Sequence, residues 1–203
     1  MRMNHERYVE RKAFDVSFVS AFAASADSGR TRIDWDRSYV SRLDSFIRRL
    51  EAQRACIDFA ARPGNVPEGA IFELGLGNGR TYDHLRECFP AREIFVFERQ
   101  MNAHAASAPD ADHLILGDIL ETMPRAVLRF RGRVAFVHSD IGSGDERRDR
   151  AMAGRIAPLL AEAVAPMGLV ASDQPLVIAG WQALPLPPGI AESRYFLYRK
   201  PKA

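Results

Sequence analysis

Three glycines at alternate positions, Gly75, Gly77 and Gly79, are the residues whose spacing most clearly indicates binding chemistry. They follow an apolar run at 70–74 and precede an amphipathic run, which predicts a strand, a glycine turn and a helix. Without Cβ atoms, the turn can adopt positive φ and let a ligand lie against the main chain, beside the free amides of a helix N-terminus. Such a turn is where open α/β sheets bind nucleotides.

The residues around the glycines indicate which nucleotide to expect. Hydride-transfer enzymes use G-x-G-x-x-G, whereas Arg80 occupies the place of the third glycine here. Glu73 precedes Gly75 by two residues, and a carboxylate there suits a positively charged ligand better than a pyrophosphate. Glu98 ends the next predicted strand, where its carboxylate can accept both hydroxyls of a ribose that rests on the glycine turn.

The motif E-x-G-x-G-x-G at the end of a first strand resembles the opening motif of class I S-adenosylmethionine-dependent methyltransferases. The resemblance covers about residues 70–200 and implies S-adenosyl-L-methionine as the cofactor. It also implies that Asp118 and Ile119, after the third strand, lie beside the adenine, although Asp118 can also cap the helix that follows. The cofactor-binding residues that it implies are Glu73, Gly75, Leu76, Gly77, Asn78, Gly79, Arg80, Thr81, Glu98, Arg99, Gly117, Asp118, Ile119, Asp140 and Tyr39.

Methyl transfer from a sulfonium is an in-line displacement, for which a protein supplies alignment and a dry pocket. His138, Asp140 and Asp173 follow buried strands at the edge where ligands bind, and we expect Asp140 to face the sulfonium or the acceptor. His138 is either a hydrogen-bonded structural residue or a catalytic base. Asp173 and Gln174 resemble the Asp-Asn pair of catechol-type, metal-dependent O-methyltransferases, with Asp140 as the earlier ligand. A metal site is therefore the alternative to a metal-free reaction, although Gln stands where Asn is usual.

The elements that must position these residues begin near Gly69, where strands and helices start to alternate, as is typical of a parallel sheet covered on both faces. Apolar and amphipathic runs predict strands at 70–74, 93–98, 113–116, 133–138 and 168–173, and helices at 81–87, 101–108, 119–130 and 146–164. Two further strands are predicted at 181–186 and 194–199, around a Pro-Pro-Gly turn, with no full helix before them. The predicted fold class is α/β, a Rossmann-like, doubly wound, mostly parallel seven-stranded sheet in three layers. By the resemblance, its last strand is antiparallel.

Residues 1–65 are predicted to form a helical extension and residues 66–203 the cofactor-binding domain. Phe14, Phe18 and Phe22 recur at steps of four and would line one side of a helix, which either packs on the core or closes over the substrate as a lid.

A second helix is predicted over residues 36–61, with Asp36 as its cap. Its apolar stripe is predicted to contain Tyr39, Leu43, Phe46, Leu50 and Ile57. The arginines at 42, 48, 49 and 54 are predicted to form a solvated face. The resemblance implies that Trp35, Tyr39 and Arg42 contact the amino-acid end of the cofactor.

Composition excludes several classes of protein. The chain has 203 residues, of which 47% are hydrophobic, and its net charge is +2, which gives no electrostatic case for a nucleic-acid or membrane partner. It also lacks the Asn-Pro-Pro-Tyr, Asp-Pro-Pro-Tyr and Pro-Cys motifs of DNA methylation. No run is long enough to cross a membrane, and charges of both signs precede the apolar run at 16–26, so we expect no secretory signal and a cytoplasmic protein. Cys56 and Cys88 are not spaced as a metal clip and are predicted to be buried thiols.

These observations predict a methyltransferase that transfers the methyl group of S-adenosyl-L-methionine to a small-molecule acceptor. A nonenzymatic binding module that kept the pocket and lost turnover is an alternative from another class. A nicotinamide oxidoreductase is disfavoured because Arg80 replaces the third glycine. The sequence does not identify the acceptor or the methylated atom. It also does not show whether the chain forms a homo-oligomer.

Overall fold

The computed structural model describes residues 40–202. The predictions made for residues 1–39 therefore lie outside the described residues. They concern the helix with Phe14, Phe18 and Phe22, the lid, and the roles of Trp35, Asp36 and Tyr39. The domain boundary after residue 65 stays a prediction.

The described residues form an alternating series of helices and strands. In chain order these are α1 (Arg42–Ala61), β1 (Ala70–Leu74), α2 (Arg80–Cys88), β2 (Ile94–Glu98), β3 (Leu114–Leu116), α3 (Ile119–Phe130), β4 (Val134–Ser139), α4 (Glu146–Ala163), β5 (Val164–Ser172), β6 (Gln182–Leu184) and β7 (Phe196–Arg199). None of the helices within residues 40–202 has the length and hydropathy that a membrane span requires.

The strands form one seven-stranded sheet in the order β3-β2-β1-β4-β5-β7-β6. Strands β1 to β5 pair in parallel, and β7 is antiparallel to both of its neighbours, β5 and β6. The order reverses between β1 and β4, and the carboxyl ends of these two strands form the edge where an open α/β sheet binds its ligand. The predicted fold class, with its antiparallel last strand, is confirmed.

Alternate side chains of each central strand enter two separate cores, one on each face of the sheet, as the period of two in a strand requires. Phe72, Phe95 and Val137 pack beneath α3 and α4. Ile71 and Phe136, from the same strands, pack beneath α1 and α2. The sheet is therefore covered on both faces in three layers, which fixes the positions of the strand ends.

Helix α1 buries Ile57, as predicted, but not all of the predicted stripe. Its buried residues are Ala52, Gln53, Cys56, Ile57 and Ala60. Leu43 and Phe46, which were predicted to lie on the apolar stripe, are 67% and 48% exposed. The helix begins at Arg42, and its cap is Ser41, whose hydroxyl accepts from the Asp44 amide. The sequence pattern was misleading because apolar side chains occupy more than one side of this helix.

Two other elements also differ from prediction. The helix predicted at 101–108 is only a 3-10 turn, Ala105–Ser107, because this short segment buries no residue that would stabilise a longer helix. Strand β5 begins at Val164, directly after α4, whereas a turn was predicted at 166–168. An irregular register opposite β4 and a positive φ of 66° at Met167 accommodate the extra residues. As predicted, no helix lies between β5 and β6.

Candidate functional site

The glycine turn joins β1 to α2, and all three of its glycines have positive φ, of 89°, 51° and 84°. A Cβ on Gly75 would lie 2.6 Å from the Asp140 carbonyl oxygen, and one on Gly79 would lie 2.4 Å from the Ser107 carbonyl oxygen. A Cβ on Gly77 would meet nothing within 4 Å. Gly75 and Gly79 therefore allow close packing of the turn, and Gly77 leaves its outer side open to a ligand.

Glu98 holds this turn against the end of β2. One of its carboxylate oxygens accepts hydrogen bonds from the amides of Leu76 and Gly77, at 2.8 and 3.0 Å. The other accepts from the amides of Arg99 and Gln100. Burial raises the pKa of Glu98, but these four amides outweigh it, so the pKa lies below its ordinary value. Glu98 is thus ionised, and it orders the turn as well as facing a cavity.

The larger cavity at this edge of the sheet has a volume of about 380 Å³ and lies between the glycine turn and the loop after β4. Its lining includes Glu98 and Asp118, the acids that follow β2 and β3. Asp118 also caps α3, because its side chain accepts from the Leu120 amide at 2.8 Å. The predicted residues that line this cavity are Gly75, Gly77, Glu98, Arg99, Gly117, Asp118, Ile119 and Asp140.

A smaller cavity of about 180 Å³ lies on the other side of the turn, against α1. The two cavities share Gly75, Gly77 and Asp140. The predicted residues that line the smaller cavity are Gly75, Leu76, Gly77, Asn78, Arg80, Thr81 and Asp140. Glu73, Gly79 and His138 line neither cavity, and Tyr39 lies outside the described residues.

Asp140 is the acid that both cavities share, and α1 holds its side chain. Arg49 forms an ion pair with one carboxylate oxygen, and the Gln53 side-chain amide donates to the other at 2.5 Å. Sequence reasoning missed both residues, and it assigned Arg49 to a solvated face. One available signal was Gln53, a polar residue within the otherwise apolar face from Ala52 to Ala60. Arg42, the predicted contact on the same helix, lines neither cavity.

Asp173 and Gln174 lie beside Asp140, at the end of β5. The Arg49 guanidinium is 3.9 Å from one Asp173 oxygen, so it stands beside both acids. Burial and the nearby Asp140 charge raise the pKa of Asp173, whose other oxygen is buried without a hydrogen-bond partner. Arg49 thus supplies the positive charge between the two acids that a divalent cation would supply in the metal-dependent alternative. A cation bound by both carboxylates would have to displace it.

Glu73 and His138 meet in the core, beneath the cavities. Both side chains are fully buried, and the Glu73 carboxylate is 2.7 Å from His138 Nδ1. Thr81 donates to the other Glu73 oxygen at 2.5 Å, and the Tyr195 hydroxyl lies 2.7 Å from His138 Nε2. Burial lowers the pKa of His138, but the charge and hydrogen bond of Glu73 outweigh it, so the pKa lies above its ordinary value.

The raised pKa of His138 favours a proton on both of its ring nitrogens. The Tyr195 hydroxyl also lies 3.1 Å from the Ser139 carbonyl, which can only accept. When its one proton is directed there, the hydroxyl can accept from Nε2, so that His138 can donate from both ring nitrogens as an imidazolium paired with Glu73. Tyr195 was not predicted, because nothing in its local sequence marks it as a partner of a residue on β4.

The residues at the sheet edge fit S-adenosyl-L-methionine. The open main chain at Gly77 offers a surface for the ligand, and a carboxylate stands at the end of β2 and another after β3 for the polar edges of a nucleoside. Asp140 supplies a third acid where the two cavities meet, which suits a ligand with positive charge.

Comparison with known proteins agrees with this fit. The model of a family described as S-adenosyl-L-methionine methyltransferase matches residues 40–200. A crystal structure of an S-adenosyl-L-methionine methyl transferase from Silicibacter pomeroyi DSS-3 is 43% identical. The match covers 80% of this chain and 99% of that one, with a TM-score of 0.75.

A second likeness is much weaker. Human methyltransferase-like protein 13, in complex with SAH, is 12% identical, with a TM-score of 0.44 and coverage of 81% of this chain and 83% of that one. No curated protein matches the sequence. The family match and the Silicibacter relative together show that the chain belongs to the S-adenosyl-L-methionine methyltransferase family and uses S-adenosyl-L-methionine as its cofactor.

Proposed function

We propose that the chain methylates a small-molecule acceptor at the point where the two cavities meet. The observation that carries this proposal is that Gly75, Gly77 and Asp140 line both cavities. A ligand laid across the turn would place its nucleoside in the larger cavity and its amino-acid end in the smaller one. Its sulfonium would then lie near Asp140, between the two.

The residues of the larger cavity would hold the nucleoside. Glu98 orders the turn through the Leu76 and Gly77 amides and presents its carboxylate edge to the sugar hydroxyls. Asp118 and the backbone of Ile119 would serve the adenine, and the Asp118 cap fixes where α3 begins. Glu73 lies beneath the cavities, and the hydrogen bond that it accepts from Thr81 would hold the first turn of α2 in place.

Asp140 is the residue that we place nearest the reaction. When bound, the cofactor supplies a methyl group activated by positive sulfur. The carboxylate of Asp140, held by Arg49 and Gln53, would orient the acceptor or face the sulfonium charge. An acceptor atom that is already unprotonated needs no base. His138 is fully buried and lines neither cavity, so it would act as a positioning residue.

The size and charge of the site support a small acceptor. The cavities, at about 380 and 180 Å³, are clefts of small-molecule size, and an acceptor would have to share them with the cofactor. The net charge of +2 gives no electrostatic case for a nucleic-acid partner. The nonenzymatic alternative differs in one observable, since it would bind the donor and never consume it.

Calorimetric titration with S-adenosyl-L-methionine tests the location of the cofactor. We expect Gly77→Val to weaken binding, because the side chain would enter the cavity from a position that is now open. Gly64→Val is the matched control, since Gly64 also has positive φ and open space but lies outside both cavities. Equal affinity for the two variants and the parent protein would refute the proposed location.

Turnover tests the role of Asp140. We expect Asp140→Ala to bind the cofactor with near-parental affinity and to lose methyl transfer, measured as release of S-adenosyl-L-homocysteine with a panel of small hydroxyl, amine and thiol acceptors. Release by the parent protein would exclude the nonenzymatic alternative. Full activity of the variant would overturn the assignment of Asp140.

A further inference from the structure

Three side chains of different types converge between α1 and α2, outside both cavities. Asp58 comes from α1, while His84 and Cys88 lie four residues apart on α2 and so share one face of that helix. We call these three residues the α1–α2 cluster. Their ligand atoms all lie within 4.8 Å of one another. The sequence did not predict the cluster, because its third member comes from another helix.

The spacing of the three ligand atoms is close to that of a tetrahedral metal site. His84 Nε2 lies 2.7 Å from Asp58 Oδ1 and 3.5 Å from Cys88 Sγ, and the last two atoms are 3.8 Å apart. Bonds of zinc to nitrogen, oxygen and sulfur at tetrahedral angles require separations of about 3.3 to 3.6 Å. An opening of the His84–Asp58 contact by about 0.6 Å would admit the ion.

The other histidine nitrogen is also placed as a metal site requires. His84 Nδ1 lies 3.5 Å from the Glu87 carboxylate, which favours a proton on that nitrogen. A proton on Nδ1 leaves Nε2 free as a ligand, which is the usual arrangement of a metal-bound histidine. A nucleophilic Cys-His-Asp triad would need the thiol and the acid on opposite ring nitrogens. Here both face Nε2, so the geometry does not fit such a triad.

We propose that the α1–α2 cluster binds a divalent transition metal of the zinc class, with water as the fourth ligand. Sulfur, imidazole and carboxylate ligands together favour zinc over magnesium or calcium. Binding releases the Cys88 thiol proton and joins Asp58 of α1 to two residues of α2. Helix α1 also carries Arg49 and Gln53, so the metal would brace the helix that holds Asp140. The proposal does not depend on the identity of the acceptor.

Titration of the chelator-treated, full-length protein with Co²⁺ tests the site directly. We expect a thiolate-to-cobalt charge-transfer band in the near ultraviolet at one equivalent, removed by adding Zn²⁺. Zn²⁺ at a hundredfold excess over its dissociation constant should raise the Tm by about 5 to 10 °C.

Variants of single residues separate this site from incidental binding. We expect Cys88→Ser to lose the band, and Asp58→Asn to lose most of the Zn²⁺-dependent rise in Tm. Asp83→Asn is the matched control, an exposed acid on the same helix that is not in the cluster. It should keep the band and the rise in Tm. The metal-free Tm of each variant shows that it is folded.

Two results would overturn the proposal. The first is a parent protein without the charge-transfer band at one equivalent of Co²⁺. The second is a rise in Tm with Zn²⁺ that is the same in the parent, Cys88→Ser and Asp58→Asn. Because none of these measurements uses an acceptor or the methyl donor, their failure would leave the proposed methyl transfer untouched.

Discussion

Two glutamates on neighbouring strands show how burial separates two roles for one residue type. Glu73 on β1 is fully buried, and its partners are the side chains of Thr81 and His138. Glu98 at the end of β2 is half-buried, lines the larger cavity, and takes its hydrogen bonds from backbone amides. The first glutamate holds the core together beneath the site, and the second shapes the surface that meets the ligand.

Of the substitutions that test this comparison, we expect Glu73→Gln to have the largest effect on the free energy of unfolding. It leaves the buried His138 imidazolium without its negative partner, which costs about 3 to 5 kcal/mol in the free energy of unfolding. Urea denaturation measures this loss. Glu98→Gln is the matched control and should cost about 1 kcal/mol or less, because glutamine keeps an oxygen acceptor and Gly77, Arg99 and Gln100, which supply three of the amides, are exposed. Equal losses for the two variants would contradict the distinction.

The next effect is on cofactor affinity. Glu98→Ala removes the acceptor that fixes the Leu76 and Gly77 amides, so the turn loses its order and the sugar loses a carboxylate. We expect the dissociation constant of S-adenosyl-L-methionine to rise about tenfold to a hundredfold, which corresponds to about 1.4 to 2.8 kcal/mol. Calorimetric titration measures it. An unchanged dissociation constant would show that Glu98 serves only the fold.

The same contrast explains which parts of the site could be predicted. The glycine turn, Glu98 and Asp118 are local features, since each follows a strand that an apolar run already marks. The partners of Glu73 could not be predicted, because His138 and Tyr195 come from β4 and from the segment before β7, and only the strand order joins them.

The contacts made by α1 could not be predicted from the sequence, for a different reason. An amphipathic pattern shows that a helix has an apolar face, but Leu43 and Phe46 are exposed, so their pattern gave the wrong orientation. Arg49 and Gln53 could be assigned to Asp140 only after the buried face of the helix was known. The α1–α2 cluster escaped prediction for the same reason.

A smaller effect concerns the dependence of stability on pH. His138 has a raised pKa in the folded protein, so the folded state binds its proton more tightly than the unfolded state does. Its stabilising contribution is complete below the unfolded pKa of about 6.5 and is lost as the pH rises through the folded-state pKa. We therefore expect the difference in stability between the parent and His138→Gln to fall with rising pH, measured by urea denaturation across this range. A difference independent of pH would show that the pKa of His138 is the same in the folded and unfolded states, and a difference that rises with pH would show that His138 is neutral when folded.

The smallest effect that we expect tests whether burial, rather than charge alone, sets these costs. Arg49 pairs with Asp140 as His138 pairs with Glu73, but its side chain is 39% exposed. Solvent screens such a pair, so Arg49→Met should change the free energy of unfolding by less than about 1 kcal/mol in urea denaturation. Arg48→Met, on the exposed side of the same helix, controls for the loss of an arginine. A cost of 3 kcal/mol or more for Arg49→Met alone would mean that Asp140 needs its partner as Glu73 does. Asp140, which lines both cavities, would then depend on its partner as strongly as the buried Glu73 does, and burial would not distinguish the two carboxylates.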